Sequence, residues 1–179
     1  MRRLALSLAL GALVLLAACD DKREEALRQP DGDRTAPEIV ATDLDGSTVR
    51  LADLKGKVVL VNFWQASCGP CLAELPDFDA FYRANQNKGV AILAINMGES
   101  EDVVRATVRR LDLSMPLLTD RLDLTSARYN VLAAPTSFLI DGEGRLIERV
   151  NGPLNEKALG EKIGPLLSAP TAERGNVVG

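Results

Sequence analysis

The sequence predicts one α/β domain built in three layers, with parallel and antiparallel strands mixed in a central sheet. Three observations predict it. Residues 58–63, 90–97 and 136–140 are short, largely apolar runs, the pattern of strands buried on both faces. Between them lie longer segments whose apolar residues recur at helical spacing. The chain then finishes in a hairpin and a helix, which is a mixed rather than purely parallel arrangement.

The elements follow in order. Ile39-Val40-Ala41-Thr42 and Ser47-Thr48-Val49-Arg50 flank Asp43-Leu44-Asp45-Gly46, a turn signal that predicts a β-hairpin. Residues 51–55 read as a short helical turn stopped by Gly56. A buried strand over 58–64 leads into a helix over 69–87, where Pro76 removes a backbone donor and predicts a kink. Gly89 ends that helix. A strand over 90–97 and a helix over 99–111 come next, the latter carrying Val103, Val104, Val108 and Leu111 on one face. A brief extended piece at 115–118 and a short helix over 121–129 precede the strand at 136–140. Asp141-Gly142-Glu143-Gly144 turns the chain into a strand over 145–150, and residues 155–167 form the last helix. No internal repeat is evident.

Composition narrows the function. A chain of 179 residues with 46% hydrophobic content can bury a real core, and 4% aromatics make that core aliphatic. A net charge of −4 excludes nucleic acid as the expected partner, because phosphate binding needs a concentrated basic face.

The amino end carries targeting information. Met1-Arg2-Arg3 is basic, and residues 4–18 are apolar but too short to span a bilayer comfortably, as in a signal-peptide core. This stretch closes in Leu16-Ala17-Ala18-Cys19, which resembles the bacterial lipobox, and the resemblance implies that Cys19 receives lipid after cleavage. Asp20 stands where lipoproteins of Gram-negative bacteria carry an inner-membrane retention signal. The implied organisation is a lipoprotein signal over 1–19, a flexible tether over 20–36, a folded domain over 37–168 and a disordered tail over 169–179. A charged tether of that length spans on the order of 20–25 Å. The implied location is the periplasmic face of the inner membrane, by lipid anchor.

Chemistry concentrates in Trp64-Gln65-Ala66-Ser67-Cys68-Gly69-Pro70-Cys71, where the central strand turns into a helix. Pro70 suits a first helical turn, since its missing N–H has no partner to lose there. Free N–H groups and the helix dipole favour an anion at this end, and the thiolate is the reactive form of cysteine. Cys68 reads as the exposed attacking sulfur and Cys71 as the more buried partner that resolves a mixed disulfide. Two other readings compete. A structural disulfide closing four residues stabilises by roughly 2 kcal/mol against about 3 for fifteen, so it gains little. A zinc site uses such a pair as half of its ligands, but the chain has one other cysteine and no histidine. With Cys19 lipidated no thiol is left over, and an exported location is where disulfide chemistry operates.

Trp64 to Cys71, Pro76 and Ala134-Pro135-Thr136 together resemble thioredoxin. Gly56-Lys57, Asn62-Phe63-Trp64, Cys71-Leu72-Ala73-Glu74-Leu75-Pro76 and residues 134–141, with the hairpin and Gly144, resemble its membrane-attached TlpA/ResA-type branch more closely, from about Pro37 to Leu167. The resemblance implies a thioredoxin-like fold with an N-terminal hairpin extension. It implies a cis peptide bond at Pro135 facing the cysteines, no cofactor and no metal beyond the redox pair, and an active-site loop that includes Trp64, Gly69 and Pro70. Glu74, three residues after Cys71, falls on the same helix face and is implied as the acid/base group that moves the Cys71 proton. Two positions depart from the pattern. Asn62 replaces the buried aspartate of thioredoxin and cannot titrate, and Ser67 replaces the usual aromatic residue before the first cysteine. Gly69-Pro70 is the dipeptide of thioredoxin, whose potential of about −270 mV is reducing beside about −120 mV for DsbA.

The expected function is a membrane-tethered periplasmic disulfide reductase, regenerated by a membrane thiol donor of the DsbD or CcdA type. Its expected substrates are disulfide-containing exported proteins such as apocytochrome c or a copper-delivery protein. Copper(I) handling by the same two thiolates is the alternative; it suits soft sulfur ligands but lacks histidine or a methionine beside the pair. A peroxiredoxin has a related fold, but Gln65 stands where its nucleophile needs threonine or serine, three residues before the cysteine.

Overall fold

The structure is a computed structural model that describes residues 34–168. The signal segment with Cys19, the tether as far as residue 33 and the tail over 169–179 lie outside the described residues. Residues before Pro37 also pack on the domain. Thr35 bridges Arg145, and the buried Ala36 donates its N–H to the Gly144 carbonyl at 2.9 Å.

Seven strands form one sheet: β1 (Val40–Asp43), β2 (Thr48–Arg50), β3 (Val58–Trp64), β4 (Val90–Met97), β5 (Leu117–Asp120), β6 (Thr136–Ile140) and β7 (Leu146–Asn151), in the spatial order β2-β1-β5-β4-β3-β6-β7. Four α-helices accompany them: α1 (Gly69–Asn85), α2 (Glu101–Leu111), α3 (Leu124–Arg128) and α4 (Glu156–Ser168). The β3–β4 and β4–β5 pairs are parallel, while β3–β6, β6–β7, β1–β2 and β1–β5 are antiparallel. The mixed α/β sheet is the one the sequence predicts.

The apolar runs fill the middle of the sheet because their side chains face packed layers on both sides. Val58, Leu60 and Trp64 point into one cluster with Leu75, Phe78 and Phe81 of α1, Val104 of α2, and Leu159 and Ile163 of α4. Val59, Val61 and Phe63 point into the other, with Ile39, Tyr129 and Phe138. Phe63, Tyr129 and Phe138 form an aromatic trio with centroids 4.9–5.8 Å apart.

Four boundaries differ from expectation, each for a local reason. The helix expected from Glu99 begins at Glu101, because the Glu99 side chain is held by backbone N–H groups across the site. The piece expected to be merely extended at 115–118 is a sheet strand, shifted to 117–120 and paired in parallel with β4. The helix expected over 121–129 shortens to five residues, since Asp123 takes a left-handed φ of 53° and the Asp120 carboxylate accepts the N–H groups of Thr125 and Ser126. The first long helix is α only to Asn85, and residues 86–88 tighten to a 3-10 turn before Gly89, whose φ is 81°. Pro76 lies inside α1, which continues through it.

The register brings three chain segments to one end of the sheet. Trp64 ends β3 opposite Asn96 of β4, and Thr136 begins β6 opposite Phe63. The segments after β3, after β4 and before β6 therefore meet there. Carboxyl ends of parallel strands are where open α/β sheets hold their sites.

Candidate active site

Cys68 is the N-cap residue of α1, with extended backbone (φ −93°, ψ 104°), and Gly69 and Pro70 occupy the first turn. The Cys71 N–H donates to Cys68 Sγ at 3.2 Å, a place usually filled by an oxygen acceptor. The Leu72 N–H donates to the Cys68 carbonyl at 3.1 Å. Cys68 and Cys71 are joined in a disulfide with their Cα atoms 5.3 Å apart. Cys68 is half-buried and Cys71 wholly buried, so one sulfur faces out and the other faces the core. The sulfur that faces out is the one already receiving a backbone N–H at a helix amino end, where negative charge is favoured.

Pro135 is buried in the segment before β6, and the Ala134–Pro135 bond is cis, as the resemblance implies. Trp64 is placed differently from an exposed loop residue: it is the last residue of β3, fully buried in the cluster beneath α1. Among the described residues, no group of three or more His, Cys, Asp or Glu side chains is placed to hold a metal ion.

Glu74 is buried, which excludes a solvated helix-surface role. Its Oε1 accepts from Asn62 Nδ2 at 2.8 Å and its Oε2 from the Leu154 N–H at 2.9 Å. Burial pushes its carboxyl up to about 7, although the Leu154 N–H and the Asn62 amide favour the ionised form. A carboxyl balanced near neutrality can both take and give a proton at working pH. Asn62, at the place of the thioredoxin aspartate, is thus a partner of the titrating group in place of being one.

A family model described as AhpC/TSA family matches residues 33–149, well over half of the chain. The chain belongs to the AhpC/TSA family. It is 39% identical over 126 residues to the thiol-disulfide oxidoreductase ResA of Bacillus cereus, covering 70% of this chain and 73% of that one. It is 40% identical over 123 residues to ResA of Geobacillus kaustophilus, covering 69% and 71%. Among solved structures, a secreted disulfide oxidoreductase of Mycobacterium tuberculosis homologous to DsbE of E. coli matches with a TM-score of 0.65 at 26% identity, over 72% of this chain and 96% of that one. This member of the family is a thioredoxin-like thiol-disulfide oxidoreductase, and its fold brings the Cys68–Cys71 pair, Glu74 and the segment before β6 to one end of the sheet.

One residue of the site escaped the sequence reading. Glu99, half-buried in the loop after β4, accepts from the Ala66 N–H at 2.6 Å, the Ser67 N–H at 3.3 Å and Asn96 Nδ2 at 2.6 Å. Its carboxylate ties the loop before Cys68 to the end of β4. The only available signal was an acidic residue just after a buried strand, and helical spacing drew it into α2 instead. Glu99→Ala leaves three donors without their acceptor and costs about 1–3 kcal/mol, read as a lower urea midpoint at unchanged m-value.

Proposed function

We propose that this oxidoreductase works as a disulfide reductase in the periplasm, held to the inner membrane by lipid on Cys19. The observation that carries the direction of attack is the asymmetry of the pair, with Cys68 outward at the helix amino end and Cys71 buried behind it. The reduced Cys68 thiolate attacks a substrate disulfide, forming a Cys68–substrate bond and expelling one substrate thiolate. Cys71 gives its proton to the Glu74 carboxylate and attacks the Cys68 sulfur. That step forms the Cys68–Cys71 disulfide and releases the second substrate thiolate, so two electrons pass to the substrate. A membrane dithiol donor of the DsbD or CcdA type restores the pair. Disulfide-containing exported proteins, such as apocytochrome c or a copper-delivery protein, are the substrates this reading assigns.

The reduction potential of the Cys68/Cys71 couple tests the direction. A value near that of thioredoxin, about −270 mV, supports a reductant, and one near −120 mV makes the protein an oxidant. The anchor is tested separately. Cys19→Ser leaves exchange in solution unchanged and moves the protein from the membrane to the soluble fraction; a variant that still sediments with membranes removes the lipobox reading.

A further inference from the structure

Among the described residues, three buried side-chain atoms have no hydrogen-bond partner: Asn62 Oδ1, Trp64 Nε1 and Asn96 Oδ1. All three belong to the redox end of β3 and β4. Interiors seldom leave such atoms unpaired, so each calls for a reason. Asn62 offers one, because its other end is bound to the buried carboxyl.

Asn62 and Ser137 are paired directly across β3 and β6, and both are wholly buried. Asn62 Nδ2 donates to Glu74 Oε1 at 2.8 Å and to Ser137 Oγ at 3.1 Å. Glu74 Oε2 accepts from the Leu154 N–H at 2.9 Å. The carboxyl therefore meets donors at both oxygens, an arrangement made for the ionised form. When it gains a proton, one oxygen becomes a donor and needs an acceptor. The Leu154 N–H belongs to the backbone and cannot reverse. The Asn62 amide can, because a half-turn of its terminal torsion brings Oδ1 to face Glu74 Oε1. The Ser137 hydroxyl, which accepts from Nδ2 in one orientation, rotates to donate to Oδ1 in the other. Either orientation leaves one end of the amide unpartnered, so the two lie close together and the proton on Glu74 chooses between them.

We propose that Asn62 is a positioning residue whose side-chain amide turns over each time Glu74 gains or loses its proton, with Ser137 turning in step. A fixed donor at that place holds the carboxyl ionised; a reversible one lets the same group act as base in one half-reaction and acid in the other. The titratable groups of α1 nearest to Glu74 are Cys71 and Asp77. The neighbours supplied by β3 and by the segment before α4 are Asn62, Pro153, Leu154 and Asn155, none of them charged, and Ser137 of β6 meets the carboxyl only through Asn62. A cleft of about 230 Å³ lined by Ala73, Glu74, Asp77, Pro153, Leu154 and Asn155 opens beside the carboxyl, giving its proton a route to solvent. The place of this switch in exchange rests on Glu74 taking the Cys71 proton, but the switch itself does not.

The test uses the oxidised, isotope-labelled protein, in which the cysteines do not titrate. The Asn62 side-chain amide resonances and the Glu74 carboxyl carbon are followed by NMR from pH 5 to 9. Both inflect at one midpoint, and the Asn62 response disappears in Glu74→Gln. Asn62 resonances that stay flat while Glu74 titrates overturn the proposal. In Asn62→Leu, of similar size but without the amide, the ionised and the protonated carboxyl both lose their partner, so the Glu74 midpoint rises by less than about one pH unit. A rise of about one to two pH units, the full worth of a charge-assisted hydrogen bond to the ionised form alone, marks Asn62 as a fixed donor and overturns the proposal. If Asn62 follows Glu74 but Glu74→Gln exchanges at the wild-type rate, the switch stands and the role of Glu74 in the reaction falls.

Discussion

Cys68→Ser abolishes disulfide exchange, whereas Cys71→Ser leaves a protein that captures its substrate and cannot let go. The two outcomes differ because the two sulfurs sit differently. Cys68 is the half-exposed cap of α1 and receives the Cys71 N–H, so its thiolate is the accessible anion. A serine hydroxyl there is not ionised at neutral pH and does not attack sulfur. Cys71 is wholly buried in the core cluster and bonded to the Cys68 sulfur. Without it the Cys68–substrate disulfide waits for an external thiol. The measurement is insulin-disulfide reduction together with non-reducing gel electrophoresis: no turnover for either variant, and a mixed-disulfide band for Cys71→Ser alone. A Cys71→Ser protein that turns over freely, or a Cys68→Ser protein that forms the trapped band, reverses the assignment.

The second large effect is on stability and its pH dependence. The Glu74 carboxyl rises from 4.5 to about 7 on folding because it is buried. Below pH 4.5 both states hold the proton and the group neither favours nor opposes folding. Between 4.5 and 7 the unfolded chain releases a proton that the folded one keeps, so stability falls as pH rises. Above 7 both are ionised and the full penalty, about 3 kcal/mol, is in place. Glu74→Gln cannot ionise and lacks this fall. Urea unfolding of the oxidised proteins across pH 4–8 gives a wild-type curve that drops by about 3 kcal/mol relative to the variant. Parallel curves show that the carboxyl is not held protonated by the fold. In the reduced protein the same substitution removes the proton acceptor for Cys71 and slows resolution by about 10²-fold.

How much of this could be read beforehand depended on the range of the interactions. The strands β3, β4 and β6 were legible almost to the residue because burial on both faces demands an apolar run, and such a run has clear ends. The Cys68–Cys71 pair at a strand-to-helix turn was legible for the same reason. Pro135 was legible only through its resemblance to a known motif, since nothing in Ala134-Pro135-Thr136 itself specifies a cis bond. The start of α2, the pairing of β5 and the short α3 were misjudged. Glu99 and Asp120 each have side chains tied to backbone N–H groups, at Ala66 and Ser67 and at Thr125 and Ser126, and those ties outweigh helical spacing. Glu74 was picked out by position, but its burial was not visible, because an acidic residue on an amphipathic helix ordinarily faces water.

The sequence by itself determined an α/β domain with a redox cysteine pair at a helix amino end, because hydrophobic periodicity and helix-end electrostatics are local and survive without knowledge of neighbours. Only the tertiary structure decided which groups surround that pair. Asn62 of β3 lies 12 residues before Glu74, Leu154 lies 80 residues after it, and Ser137 of β6 lies 75 residues beyond Asn62, and only the closed fold brings them together around the carboxyl. The reason is physical: a carboxyl's proton affinity is set by desolvation and by the donors packed against it, and neither exists until the layers close over it.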